Sequence, residues 1–202
     1  MKAALPLLAA AVLAATVSTA HADDTRWVVR FGVHTVAPES DNGQLAGMKA
    51  DVGDSTRPTG SIEYLFTPNW GVEALAALPF QHEVRLDGIG AARTKQLPPV
   101  IGVNYHFLPG AAVSPFIGAG LNYTYFFDTK GQGPLQGAHV KADDSWGAAA
   151  HAGLDIALSP RWLLTADVRW IDIKSDIRVN GAKVGTAKID PWVYGLSFGY
   201  RF

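Results

Sequence analysis

The last eleven residues, WVYGLSFGYRF from Trp192 to Phe202, carry a large apolar side chain at every even position and a smaller or polar one at every odd position. Strict alternation predicts a β-strand with two unlike faces. Seven further stretches repeat the pattern: 27–34, 61–66, 70–80, 100–107, 116–127, 146–156 and 162–170. On one face stand residues such as Phe31, Ile62, Val72, Ile101, Leu121, Leu154, Val168 and Leu196. The other face holds small residues together with Arg30, Glu63, Glu73, Asp155, Asp167, Arg169 and Arg201.

The connections alternate as well. Segments 67–69, 108–113 and 159–161 are short and rich in turn residues, whereas 36–56, 85–93, 128–144 and 174–190 are longer, mostly polar and Gly-rich. Eight strands with short turns at one end and four longer loops at the other predict an all-β fold, an eight-stranded antiparallel transmembrane β-barrel. Its turns and both termini would be periplasmic and its loops extracellular. The cost of charge in hydrocarbon sets the facing. An Arg or Lys on the lipid side near mid-membrane costs about 2–4 kcal/mol, so the bulky alternates must point outward and the ionised ones inward. Outward aromatics should form two interfacial girdles. Trp27, Phe66, Trp70, Phe107, Trp162 and Phe202 mark one, and Phe80, Phe127, Trp146, Trp170 and Trp192 the other.

Two other folds fit less well. Segment 96–127 lacks Asp, Glu, Lys and Arg, as a helical membrane hairpin would, but Pro98, Pro99, Pro109 and Pro115 interrupt it. A soluble lipocalin-like barrel would have to bury the ionised face without an outer polar face to replace it.

The N-terminus adds an address. A basic Met1-Lys2 start, an apolar run over 3–17 and the small-x-small pattern Ala20-His21-Ala22 predict a secretory signal peptide over 1–22. The remainder, 23–202, suits one domain. A near-neutral charge balance argues against nucleic-acid binding. The chain has no cysteine, hence no disulfide and no thiolate chemistry. His34, His82, His106, His139 and His151 are scattered without a Ser or carboxylate spacing that fixes a triad. No metal-ligand spacing is present either. The expectation is a non-enzymatic protein without cofactor or metal.

Several blocks carry a resemblance: Gly71-Val-Glu-Ala-Leu-Ala-Ala-Leu-Pro-Phe80, Leu97-Pro-Pro99, the run from Pro115 to Asp128, Asp144-Ser-Trp-Gly-Ala-Ala149, Asp190-Pro-Trp192 and Gly199-Tyr-Arg-Phe202. Together they closely resemble the OmpW family. The resemblance implies an outer-membrane barrel of Gram-negative bacteria that passes small, mainly hydrophobic molecules, and some members serve as phage or bacteriocin receptors. It also implies that the terminal Phe202 is the aromatic end which the barrel-insertion machinery recognises, and that Leu75 is an inward apolar group.

Eight strands leave room only for side chains. The expected lumen wall is Leu65, Leu75, Val100, Phe116, Phe126 and Leu163, with Arg169 near the rim. Arg30, Glu63, Glu73, Asp155, Asp167, Arg169 and Arg201 should form a mixed-sign inward network, since charges in a poorly hydrated interior must pair. Proline cannot donate to a ladder. A hairpin folded about Gly88-Ile89 would set Pro79 opposite Pro98, with Pro99 beside it, and so weaken the wall between the third and fourth strands. A hydrophobic solute could pass sideways into lipid there. The alternative is a surface receptor or structural barrel with a sealed lumen, its function carried by the loops. The partners expected are outer-membrane lipids, hydrophobic solutes and the insertion machinery.

Overall fold

The computed structural model describes residues 25–202, and the segment read as a signal peptide lies outside them. Along these residues run β1 (Trp27–Ala37), β2 (Gln44–Leu45), β3 (Met48–Val52), β4 (Ser55–Leu65), β5 (Trp70–Ala77), β6 (Phe80–Leu86), β7 (Ile89–Leu97) and β8 (Val100–His106). They are followed by β9 (Val113–Gly131), β10 (Val140–Ala142), β11 (Ser145–Ala157), β12 (Trp162–Ile171), β13 (Lys174–Val179), β14 (Ala182–Lys188) and β15 (Trp192–Arg201).

A closed antiparallel barrel forms from β1, β4, β5, β8, β9, β11, β12 and β15, in that order around the wall. Reciprocal hydrogen bonds of 3.0 Å between the backbones of Trp27 and Phe202 finish the seam, so neither terminal strand leaves an open edge. The bulky alternates face out: Leu121 is 65% exposed and Phe198 58%. The ionised alternates Arg30, Glu63, Glu73, Asp155, Asp167 and Arg169 are buried inside. Aromatic pairs ring the turn end, with Trp27 on Tyr64 at 4.8 Å, Trp70 on Tyr105 at 4.9 Å and Trp162 on Tyr200 at 5.0 Å between centroids. At the loop end Tyr123 meets Trp146 at 4.7 Å.

Two expectations need correcting. The long connections are largely strand, because β2, β3, β6, β7, β10, β13 and β14 carry the wall beyond the barrel as one extended sheet. Tight hairpins turn at Ala46-Gly47, Asp87-Gly88 and Asn180-Gly181, where both residues take positive φ as a two-residue turn requires. The hairpin between β6 and β7 thus centres on Asp87-Gly88, one residue before the expected point.

Phe80 does not join the outer girdle. Below it Leu75 pairs with Val100, and above it the rungs resume at Phe80 with Gln96, which leaves one extra residue on the third strand. This bulge at Leu78-Pro79 reverses the facing, as a one-residue insertion must. Leu78 points out at 58% exposure, whereas Phe80 turns inward at 2%.

Candidate functional site

The lumen has two unlike halves. In the half nearer the turns, two arginines organise a charged plug. Arg30 donates from Nη1 to Glu63 Oε2 at 2.8 Å, from Nη2 to Asp155 Oδ2 at 3.0 Å and from Nε to Thr165 Oγ1 at 3.1 Å. Thr165 in turn donates to Asp155 Oδ1 at 2.6 Å, and Asn104 donates to Glu63 Oε1 at 2.9 Å. His106 Nε2 lies 2.9 Å from the same Glu63 oxygen. Phe116 packs beneath, its ring 6.0 Å from the Arg30 guanidinium carbon.

One layer further in, Arg169 grips Glu73 with both terminal nitrogens, at 3.0 and 3.3 Å, and Asp167 through Nε at 2.7 Å. His34 bridges Asp167, at 3.2 Å, to Thr59, at 2.6 Å, and His151 Nε2 lies 2.8 Å from Asn104 Oδ1. Two guanidiniums therefore face four carboxylates, with three imidazoles among them. Each charge is paired, as burial demands. The neighbouring glycines make this possible: a Cβ at Gly71 would stand 2.5 Å from Glu63 Oε1, and one at Gly195 would collide with His34. The free space among these side chains is only about 10 Å³, room for about one water.

In the half nearer the loops the lining becomes largely apolar, with the polar side chains of Asn122, Thr124, Ser145 and Gln96 buried beside it. Val36, Phe80, Val100, Phe126, Ala149, Ile171 and Val193 form one buried cluster, with Ile173 and Ile189 above and Leu75 packed on its lower side.

The residues expected to line one constriction thus separate. Leu75, Val100 and Phe126 belong to the apolar cluster, and Phe116 and Arg169 to the plug. Leu163 is buried near the turns opposite Gly199, and Leu65 sits at the last rungs of β4. Arg169 lies inside the barrel against Glu73 rather than near the rim. Arg201, expected in the network, pairs with Val28 at the seam and makes none of the ion pairs of the plug. The histidines and Asn104 complete the plug. Their sequence signal is parity within each strand: His34 alternates in step with Arg30, and His151 with Asp155.

Where the halves meet, the wall is broken. Residues 76–79 and 97–99 share no rung among the described residues; pairing stops at Leu75–Val100 and restarts at Phe80–Gln96. The extra residue offsets Pro79 from Pro98, so the two prolines are not face to face. Other groups satisfy the freed backbone. Arg57 Nε donates to the Pro79 carbonyl at 3.0 Å, Asn122 Nδ2 donates to the Pro99 carbonyl at 2.9 Å, and the Leu78 amide donates to Pro58 on the opposite neighbour. Arg57 and Asn122 carry no motif that marks them. Their role follows only from the register.

A closed eight-stranded barrel with an apolar belt, aromatic girdles and a polar interior is a small outer-membrane barrel. The family is specific: the OmpW family profile matches residues 23–202, and the chain belongs to that family. Outer membrane protein W of Vibrio cholerae is 37% identical over 193 residues, covering 87% of this chain and 88% of the relative. The crystal structure of the outer membrane protein OprG from Pseudomonas aeruginosa superposes with a TM-score of 0.76 at 34% identity, over 88% of this chain and 96% of that one. A more distant relative, the dibenzothiophene metabolism operon protein PahQ of Pseudomonas aeruginosa, is 29% identical over 197 residues and 90% of each chain. The protein resides in the outer membrane, with the turn end periplasmic and the loop end extracellular.

Proposed function

We propose that the protein admits small hydrophobic molecules from outside the cell into its apolar vestibule and releases them sideways into the membrane through the broken rungs between β5 and β8. One coincidence carries this reading: the apolar lining ends, the charged plug begins and the ladder stops at the same level, at Leu75 and Val100. A hydrophobic solute that descends this far meets Arg169 and Glu73, where it would have to displace paired charges. The way out with the smaller cost is the wall, where no cross-strand hydrogen bonds need breaking. The name of the relative PahQ, from an operon of dibenzothiophene metabolism, agrees with an apolar aromatic solute. The plug and lumen hold side chains for pairing and packing, and the protein is read as a conduit rather than an enzyme. Phe202, exposed at the seam, is free to be read by insertion machinery.

Replacing Pro79, Pro98 and Pro99 together by Val restores three amide donors. Uptake of a hydrophobic solute by cells carrying this variant should drop towards the level of cells without the barrel, while the folded fraction is kept. Unchanged uptake would sink lateral release. The compactness of the lumen favours a second reading, a sealed barrel acting as a surface receptor. It predicts that a Leu75→Arg variant and the wild type pass hydrophobic solutes equally poorly.

A further inference from the structure

One buried side chain beside the broken rungs has only half of its amide satisfied. Gln96 is wholly buried, and its register partners on either side are Phe80 and Phe126, both members of the apolar cluster. Its Nε2 lies 3.0 Å from His82 Nε2, and His82 Nδ1 lies 2.6 Å from the Gly53 carbonyl oxygen. A carbonyl can only accept, so His82 carries its proton on Nδ1 and offers Nε2 as an acceptor. The Gln96 amide nitrogen must then donate to it. This fixes the orientation of the amide and leaves Oε1 buried and without a hydrogen-bond partner.

A buried acceptor left unsatisfied in apolar surroundings is costly, and a methionine would fill the same space without the cost. Such an orphan calls for an explanation, and a ligand that supplies the missing partner is one. The position agrees, since Gln96 is the first rung above the break and immediately precedes Leu97-Pro98-Pro99. A solute leaving the vestibule must pass it.

We infer that Gln96 Oε1 reads a single hydroxyl or N–H on an otherwise apolar solute, so that the conduit prefers alcohols and phenols to the bare hydrocarbons of the same shape. This rests on the vestibule being the solute path. A donor on the solute satisfies Oε1 while the rest of the molecule lies against Phe80, Phe126 and Val100. A hydrocarbon fills the same space and leaves the oxygen unpaired. One neutral hydrogen bond corresponds to roughly a threefold to tenfold preference.

The test uses naphthalene and 2-naphthol, with uptake measured in cells producing the full barrel and corrected for cells without it. The wild type should take up 2-naphthol about threefold to tenfold better. Gln96→Met should remove that preference by lowering 2-naphthol uptake relative to naphthalene uptake. Equal uptake of the two compounds by the wild type, or an equal change of both in Gln96→Met, overturns the inference while leaving the conduit standing. Failure of either compound to exceed the barrel-free cells removes the conduit itself and the inference with it. Should Gln96→Met not fold, the wild-type barrel in nanodiscs decides. There 2-naphthol should bind several times more tightly than 2-methoxynaphthalene, whose capped oxygen has no proton to give, and equal affinities overturn the assignment.

Discussion

The two halves of the lumen share the same eight strands yet solve opposite problems. On the periplasmic side the inward positions hold two arginines, four carboxylates and three histidines, tied together by side-chain hydrogen bonds and ion pairs. On the extracellular side the same face of the same strands holds Val36, Val100, Phe126, Ala149, Ile171 and Val193, which contact one another only by packing. Paired buried charges have discrete geometries and tolerate little displacement. Apolar side chains slide and repack at smaller cost. The difference teaches that one set of eight strands can be cross-linked by charge near its turns and held only by packing near its loops, the contrast on which the proposed lateral release rests.

The largest test of that contrast is Arg169→Met. It strips Glu73 and Asp167 of their shared cation and leaves two carboxylates uncompensated in the interior, a loss of about 3–5 kcal/mol in urea unfolding from micelles. A loss below about 1 kcal/mol would mean that the plug is loose and wet. A smaller effect is expected at the wall. Arg57→Met removes the side chain that holds the Pro79 carbonyl, so stability should fall by about 1 kcal/mol while solute uptake rises. Slower uptake in that variant would assign Arg57 to the solute path rather than to the latch.

The smallest effect belongs to the extracellular hairpin of β13 and β14, away from both halves. Asp176 accepts from Lys183 and Thr186, each at 2.6 Å, and the Lys183 bond foremost holds its carboxyl below the ordinary value of 3.8. A depressed folded-state value stabilises above the unfolded value and is lost as the pH falls through the folded one. The hairpin resonances should therefore stay constant from neutral pH down to about pH 4 and broaden only in stronger acid. Broadening already near pH 6 would point to a histidine instead.

Much of this architecture is legible in the chain. A period of two locates all eight barrel strands, and the cost of placing Glu63 or Arg169 in lipid is enough to choose their facing. Other features depend on a single residue of register. Phe80 reads as an outward ring because its parity matches Trp70 and Val72, and only the bulge at Leu78-Pro79 reverses it. The prolines point to a weak wall, but the offset of Pro79 from Pro98 depends on where the hairpin turns. Asp87-Gly88 and Asn180-Gly181 are strong hairpin signals, yet in polar, Gly-rich surroundings they read as loop. Arg57, Asn122 and Gln96 are invisible beforehand, since each acts on a backbone or side-chain atom distant in sequence.

Covalent trapping of the passing solute tests the central claim most directly. A decane analogue carrying a diazirine, photolysed during uptake and mapped by mass spectrometry, should mark Val100, Phe126, Leu97 and Leu78, a track that descends the vestibule and turns out through the wall. Adducts on His106 or Ser197 within the plug, or on Leu163 below it, would show axial passage and contradict the account.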